Sequence, residues 1–379
     1  MCVLSHFRKW CRPETTPLIA ATSSERRLPL RQGFHNVSKN AVSRSGRLLA
    51  VVLVGCSLNS ARALDPNRMM LQYAREQWAI EGGSAGGIVR AIAQTTDGYL
   101  WIGTDSGLAR FDGFNFHAAP FSSTGLFSNA RVLDLTKDRD GNLLVRLQGS
   151  GILRQSNGHF ESVTSDPEPR ASYVTAMWSE TNGSVLLSDL KDGLLRYRGG
   201  RLEVLAQRTT LPGFSLVVSL AETSDGNIWM GTLGTGLFYL AQGRVKNISA
   251  GMSHEKINCL LPVGANELWF GTDHGLFRWT GTTMQMVRLS PLTDQVRLLT
   301  LLRDRDANVW VGTAQGLLRI NDLGVSFSDE RELRGDGGIN ALFEDREGNL
   351  WVGGARGVER IRDSAFVTYS SASGIPSEQ

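Results

Sequence analysis

One run in the chain has the spacing of an activated serine: Gly82-Gly83-Ser84-Ala85-Gly86. Gly-x-Ser-x-Gly serves hydrolases because its glycines permit a sharp strand-to-helix turn that exposes the hydroxyl. Here the stretch runs into Ile88-Val89-Arg90-Ala91-Ile92, a strand pattern rather than a helical one, so a loop is expected and no nucleophile. His117, His159, His254 and His274 lie far apart without His-Glu-x-x-His or His-x-His spacing, and they read as scattered surface residues rather than a metal site or a general base. Of the four cysteines, Cys2, Cys11 and Cys56 sit in the leading segment. Cys259 is left with no disulfide partner and reads as a small core residue. No catalytic set, metal or cofactor is expected.

Two other sets of polar residues recur at a fixed register. Arg110, Arg154, Arg196, Arg278, Arg319 and Arg360 share one position, which Tyr239 takes once. A guanidinium there can lie over the aromatic face of an adjacent repeat or reach a turn carboxylate such as Asp97, Asp140, Asp225 or Asp306; a structural role is expected. Arg90, Thr175, Asn258 and Asn340 stand at the start of another repeated segment and offer a mixed donor set suited to a polar ligand such as a sugar fragment.

The elements behind both sets follow from Ile88 to Phe116, whose pattern returns at intervals of about 42 residues, the period of a propeller blade. Trp101 marks the first of seven copies; Leu144, Leu186, Trp229, Trp269, Trp310 and Trp351 hold its place in the others. In the first copy the strands are expected at residues 89–95, 99–104, 108–111 and 114–118. Asp97-Gly98, Asp140-Gly141, Asn182-Gly183 and Asp225-Gly226 are hairpin turns, since both residue types tolerate positive φ. Gly107, Gly151, Gly193, Gly236, Gly275, Gly316 and Gly357 open the third strands. Gly-Thr after the tryptophan, as in Gly103-Thr104, fits a place where neighbouring chain segments come close. Reading the first strands in register gives a large apolar column, Ile92, Leu135, Met177, Leu220, Leu260, Leu301 and Leu342, preceded by a small or polar one that includes Cys259. These strands are expected innermost. The fold class is all-β: a seven-bladed propeller of four-stranded antiparallel blades.

Length and charge agree with that reading. A chain of 379 residues with 42 glycines and 11 prolines suits many short strands and tight turns. The formal charge of +3 comes from the leading segment, where Arg8, Lys9, Arg12, Arg26, Arg27, Arg31, Lys39, Arg44 and Arg47 crowd together; the rest is mildly acidic, which argues against a nucleic-acid partner. Arg44 and Arg47 precede the apolar run from Leu48 to Val54, and Ala61-Arg62-Ala63 follows, the order of a signal peptide over about 42–63 with cleavage after Ala63. Leu53-Val54-Gly55-Cys56 also fits a lipoprotein box, so a leader or a lipid anchor is the expected membrane link. Translation is expected to start near Val42.

With Trp-Ile-Gly-Thr, a following Gly-Leu and Arg-Phe-Asp-Gly in fixed order, the copies resemble the two-component regulator propeller repeat from Ile88 to about Tyr369, least in the second and third copies. Residues 72–78 resemble the segment that precedes the first repeat. The resemblance implies an exported sensor region; relatives typically carry about fourteen repeats as two propellers, an immunoglobulin-like module, a membrane helix and a histidine kinase or diguanylate cyclase output. The organisation expected is leader 1–63, lead-in 64–87, propeller 88–370 and the start of a truncated further repeat at 371–379. Residues 72–80 could add an outer strand to the last blade and latch the ring.

Ligand contacts are expected from the loops that lead into the innermost strands, at 121–129, 165–173, 207–215, 251–256, 290–297 and 331–338, because they vary while the strands repeat. The expected function is extracytoplasmic recognition of a glycan or other polar ligand. The rivals are an interaction scaffold that pairs with a second propeller or another copy, and a propeller enzyme acting on polysaccharide. The enzyme would need convergent carboxylates, a His/Tyr pair or a metal, which the aligned columns lack.

Overall fold

The computed structural model describes residues 64–80, 86–119, 130–149, 151–156, 158–163, 174–211, 216–248, 255–289, 296–327 and 338–364. Ser84, His254 and the whole leader lie outside the described residues, as does most of the six loops singled out above.

Seven four-stranded antiparallel sheets follow one another along the chain. In blade 1 the strands are Val89–Gln94, Leu100–Thr104, Leu108–Phe111 and Phe116–Ala118. They are slightly shorter than expected because Thr95 and Tyr99 close the hairpin, with the Thr95 amide donating to the Tyr99 carbonyl at 3.0 Å. The inner strands of the later blades are Val132–Lys137, Val174–Ser179, Val217–Glu222, Ile257–Pro262, Leu298–Arg303 and Ile339–Glu344, and successive ones pack side by side around the ring.

Close packing of the blades explains the glycine after each tryptophan. A Cβ on Gly103 would lie 2.3 Å from Val132 Cγ1 of the next blade; on Gly353 it would lie 2.6 Å from Val89 Cγ1 of blade 1. Any side chain there would push the blades apart. The threonine that follows is buried and caps the turn: Thr104 Oγ1 accepts from the Gly107 amide at 3.1 Å, and Thr313 Oγ1 from that of Gly316 at 3.0 Å. Cys259 belongs to the same inter-blade packing beside Gly271, and burial pushes its thiol up to about 12.

Blade 7 takes its outer strand from the other end of the chain. Ala74–Trp78 pairs antiparallel with Gly357–Arg362, from Ala74 opposite Arg362 to Trp78 opposite Val358. Ahead of it Leu64, Met70 and Tyr73 are buried in one cluster with Trp310, Leu350 and Ile361. Trp78 stacks on Trp351 at 5.5 Å and meets Phe111 of blade 1 edge-on at 5.1 Å. The lead-in therefore belongs to the ring and spans the place where its ends meet.

Candidate functional site

The repeated tryptophans form the base on which the other side chains are placed. Trp101, Trp229, Trp310 and Trp351 are buried, and each indole N–H needs an acceptor there. It finds one on the residue six positions earlier: Thr95 Oγ1 at 3.0 Å, Thr223 Oγ1 at 3.1 Å, Asp304 Oδ2 at 2.8 Å and Asp345 Oδ2 at 2.7 Å. In blade 5 that position is Val263, and Trp269 turns instead to Glu267 Oε1 at 2.7 Å.

The arginine column sits directly across the sheet from this one: Trp101 pairs with Arg110, Leu144 with Arg154, Leu186 with Arg196, and Trp351 with Arg360. In blades 1 and 7 the guanidinium lies over aromatic rings: Arg110 is 4.2 Å from the Tyr99 ring centre and 5.9 Å from that of Trp101, and Arg360 is 5.5 Å from that of Trp351. Where leucine replaces it, the acceptor six residues earlier has lost its indole, and the arginine takes over. Arg154 Nε donates to Asp138 Oδ2 at 2.7 Å, and Arg196 grips Glu180 through Nε and Nη2 at 2.6–3.0 Å. Glu180 has no exposed side-chain surface, so this pairing neutralises a buried carboxylate. Arg278 reaches Glu267, and Arg319 the Tyr73 hydroxyl. Tyr239 stacks on Trp229 at 4.9 Å. In blades 1 and 7 the aromatic faces covered belong to the same blade, whereas Arg319 of blade 6 lies 5.7 Å from the ring centre of Tyr73, which leads into the outer strand of blade 7. The closest paired carboxylate stands at the start of the turn, and Arg154 also reaches the Asp-Gly carboxylate of Asp140 at 3.5 Å.

Gly107, Gly236, Gly275, Gly316 and Gly357 close the second-to-third-strand turns with positive φ, as do Gly151 and Gly193 in the two eroded copies.

Arg90, Thr175, Asn258 and Asn340 all occupy the second position of an inner strand, in blades 1, 3, 5 and 7. A β-bulge falls at this position in every blade, between the first and third residues of the strand. Blades 2, 4 and 6 carry Leu133, Val218 and Leu299 there. Two of the four polar residues tie blades together. Arg90 bonds Asp105, which also holds Arg131 Nε of blade 2 at 2.8 Å. Asn258 Nδ2 donates to Asp273 at 2.8 Å and to the Leu298 carbonyl of blade 6 at 2.9 Å, while Arg297 Nε reaches the same Asp273 at 3.0 Å. Burial alone would raise Asp105, but the hydrogen bond and charge of Arg90, with Arg131 beside it, hold it below the usual carboxylate range. Thr175 donates to the Ser188 carbonyl at 3.3 Å, and Asn340 to that of Gly338 at 3.4 Å. The four share a register around the ring, and each makes contacts within it.

His117 is exposed and bound to Asp112 at 2.7 Å; His274 is exposed and bound to Glu255 at 3.0 Å, which raises its pKa. Among the described residues no three His, Cys, Asp or Glu side chains are grouped to hold a metal, and no helix is long and apolar enough to cross a membrane. The indole acceptors and the Asp105 and Asp273 clamps went unnoticed in the sequence. The first had a signal, a Thr, Asp or Glu six residues before the tryptophan position in six of seven copies.

Three segments, 83–106, 213–234 and 334–356, match the family model described as "Two component regulator propeller". No curated protein matches the chain. Among solved structures, the extracellular domain of a protein described as a hybrid two component system from B. thetaiotaomicron aligns at TM-score 0.64 and 20% identity, over 77% of this chain and 42% of that one. A catalytically inactive virginiamycin B lyase from Staphylococcus aureus with quinupristin aligns at TM-score 0.59 and 14% identity, over 76% and 99%. YCF48 bound to D1 peptide aligns at TM-score 0.59 and 13% identity, over 82% and 100%. These likenesses concern the fold, and the chain spans about two fifths of the B. thetaiotaomicron domain. The matched segments fall on the first, fourth and seventh copies of the repeat described above, so the chain is a seven-bladed propeller in which these three copies match the two-component regulator propeller repeat.

Proposed function

We propose that the chain is an extracytoplasmic ligand-binding propeller of a two-component-type signalling protein, and that it meets its cue on the face where the variable loops lead into the inner strands. One observation carries this reading: the polar side chains that repeat from blade to blade are engaged in holding the blades. Indole acceptors and column arginines have partners within the ring. Recognition is then left to the parts that differ between copies, the loops and the alternating bulge residues Arg90, Thr175, Asn258 and Asn340. The matched repeat and the likeness to extracellular domains described as belonging to hybrid two component systems favour a sensory role over catalysis. The cue shifts a signalling equilibrium only through differential affinity for two receptor states, which involves parts of a longer protein.

A thermal-shift screen of the chain from Leu64 against soluble glycans and their breakdown products tests this reading. A saturable rise in melting temperature with one glycan class is expected. A well-folded sample that responds to none would favour the interaction-scaffold reading, which the propeller solved with a peptide illustrates; solution scattering would then show self-association. Exported protein is expected to begin at Leu64, as N-terminal sequencing would report.

A further inference from the structure

Blade 2 departs furthest from the ring at a position that is glycine in five of the seven blades. In blades 1, 4, 5, 6 and 7 the residue opposite the third inner-strand position is glycine, and a Cβ there would come within 2.2–2.6 Å of neighbouring atoms. In blade 2 the same register pairs Asp134 with Arg146. Arg146 thus stands where five blades have glycine and blade 3 has the small Ser188. The consequence is visible in the ring: the inner strands Val132–Lys137 and Val174–Ser179, on either side of this seam, are the most loosely packed neighbours of all.

The pair does not satisfy itself. Arg146 keeps 11% of its side chain exposed, and its only partner among the described residues is Asp134, 3.7 Å away and beyond hydrogen-bond distance. Its Nε is fully buried without an acceptor. Asp134 Oδ1 accepts the Leu135 amide at 2.9 Å, while the side chain stays 32% exposed, so the seam is open to solvent at the carboxylate. A nearly buried guanidinium with one long contact is costly, and glycine at this position would avoid the cost. A planar oxyanion placed against the guanidinium would satisfy it bidentately, as Arg–carboxylate pairs do. Asp134 would then accept from a donor on the adjacent carbon.

We propose that the seam between blades 2 and 3 is a binding site for a small carboxylate with a neighbouring hydroxyl, the chemistry of a sugar acid, with Arg146 holding the carboxylate and Asp134 the hydroxyl. The site lies in the seam just inside the loop face, and the Arg146 variants distinguish its failure from that of the function proposed above.

The test is a thermal-shift titration of the full chain with D-galacturonate, beside D-galactose and sodium chloride at equal ionic strength. Galacturonate is expected to raise the melting temperature saturably, and the two controls are not. Arg146→Gly restores the repeat pattern; it is expected to melt higher than the unaltered chain without ligand and to lose the galacturonate response. Arg146→Lys keeps the charge without the planar fork and is expected to bind about tenfold more weakly. A galacturonate response retained in Arg146→Gly would overturn the assignment. So would an unaltered chain that responds to neither galacturonate nor lactate. Should Arg146→Gly fail to fold, Arg146→Lys decides, and undiminished binding there overturns the site.

Discussion

Asp304 shows how much a single side chain does in this ring. It is buried and accepts from the Trp310 indole, the Asn308 side chain and the Asn308 amide, each at 2.8 Å. Asp304→Ala strands these donors and is expected to cost about 3 kcal/mol in urea unfolding. Glu180 and Arg196 test the converse case. Glu180→Leu alone leaves Arg196 only the longer Glu222 contact at 3.9 Å and should cost roughly 2–3 kcal/mol, while adding Arg196→Leu should recover most of it. Asp112 sets a pH dependence: the amides of Asn115 and Phe114, with His117, hold it at about 2 against an ordinary 3.8. A depressed carboxylate stabilises the fold above its unfolded pKa, and that contribution fades as pH falls from 3.8 toward 2. Asp112→Asn should flatten this part of the acid-unfolding curve. The arginine column was legible in sequence as a structural feature, but its partners were not. The choice depends on which groups lie near the guanidinium: Arg196 opposite Leu186 takes Glu180, and Arg278 takes Glu267 although it faces Trp269.

At the scale of the strand and the blade, sequence was most informative. The Gly-Thr pairs and the large apolar column each have one physical cause that acts within a repeat or between adjacent ones; the Asp-Gly turns form where expected, with positive φ at the glycine alone and not at the residue before it. Gly231→Ala would bring a Cβ to 2.2 Å from Ser219 Oγ and 2.7 Å from Ile257 Cγ2, and is expected to lower stability by about 1–3 kcal/mol. The bulge at the start of every inner strand was not legible. It adds a residue without changing composition, and it is what sets Arg90 and Asn258 beside Asp105 and Asp273. Blades 2 and 3, weakest in pattern, turn out to be those where the arginine has replaced the tryptophan as partner of the buried acid.

For the whole molecule, ring closure depends on residues 64–78. The sequence left open whether they latch the ring; the strand Ala74–Trp78 in blade 7 answers that. Trp78 joins Trp351 to Phe111 and donates its indole N–H to the Phe114 carbonyl at 2.9 Å, so Trp78→Ala is expected to cost about 3 kcal/mol and to loosen blades 7 and 1 together. The larger claim is that a structurally committed ring leaves recognition to its variable face. Hydrogen exchange on the chain, with and without the glycan that most raises its melting temperature, tests this most directly. The account predicts new protection in the segments leading into the inner strands, at 121–129, 165–173, 251–256 and 290–297, with the Asp-Gly hairpins unchanged. Protection confined to those hairpins, or to the outer strands, would contradict it.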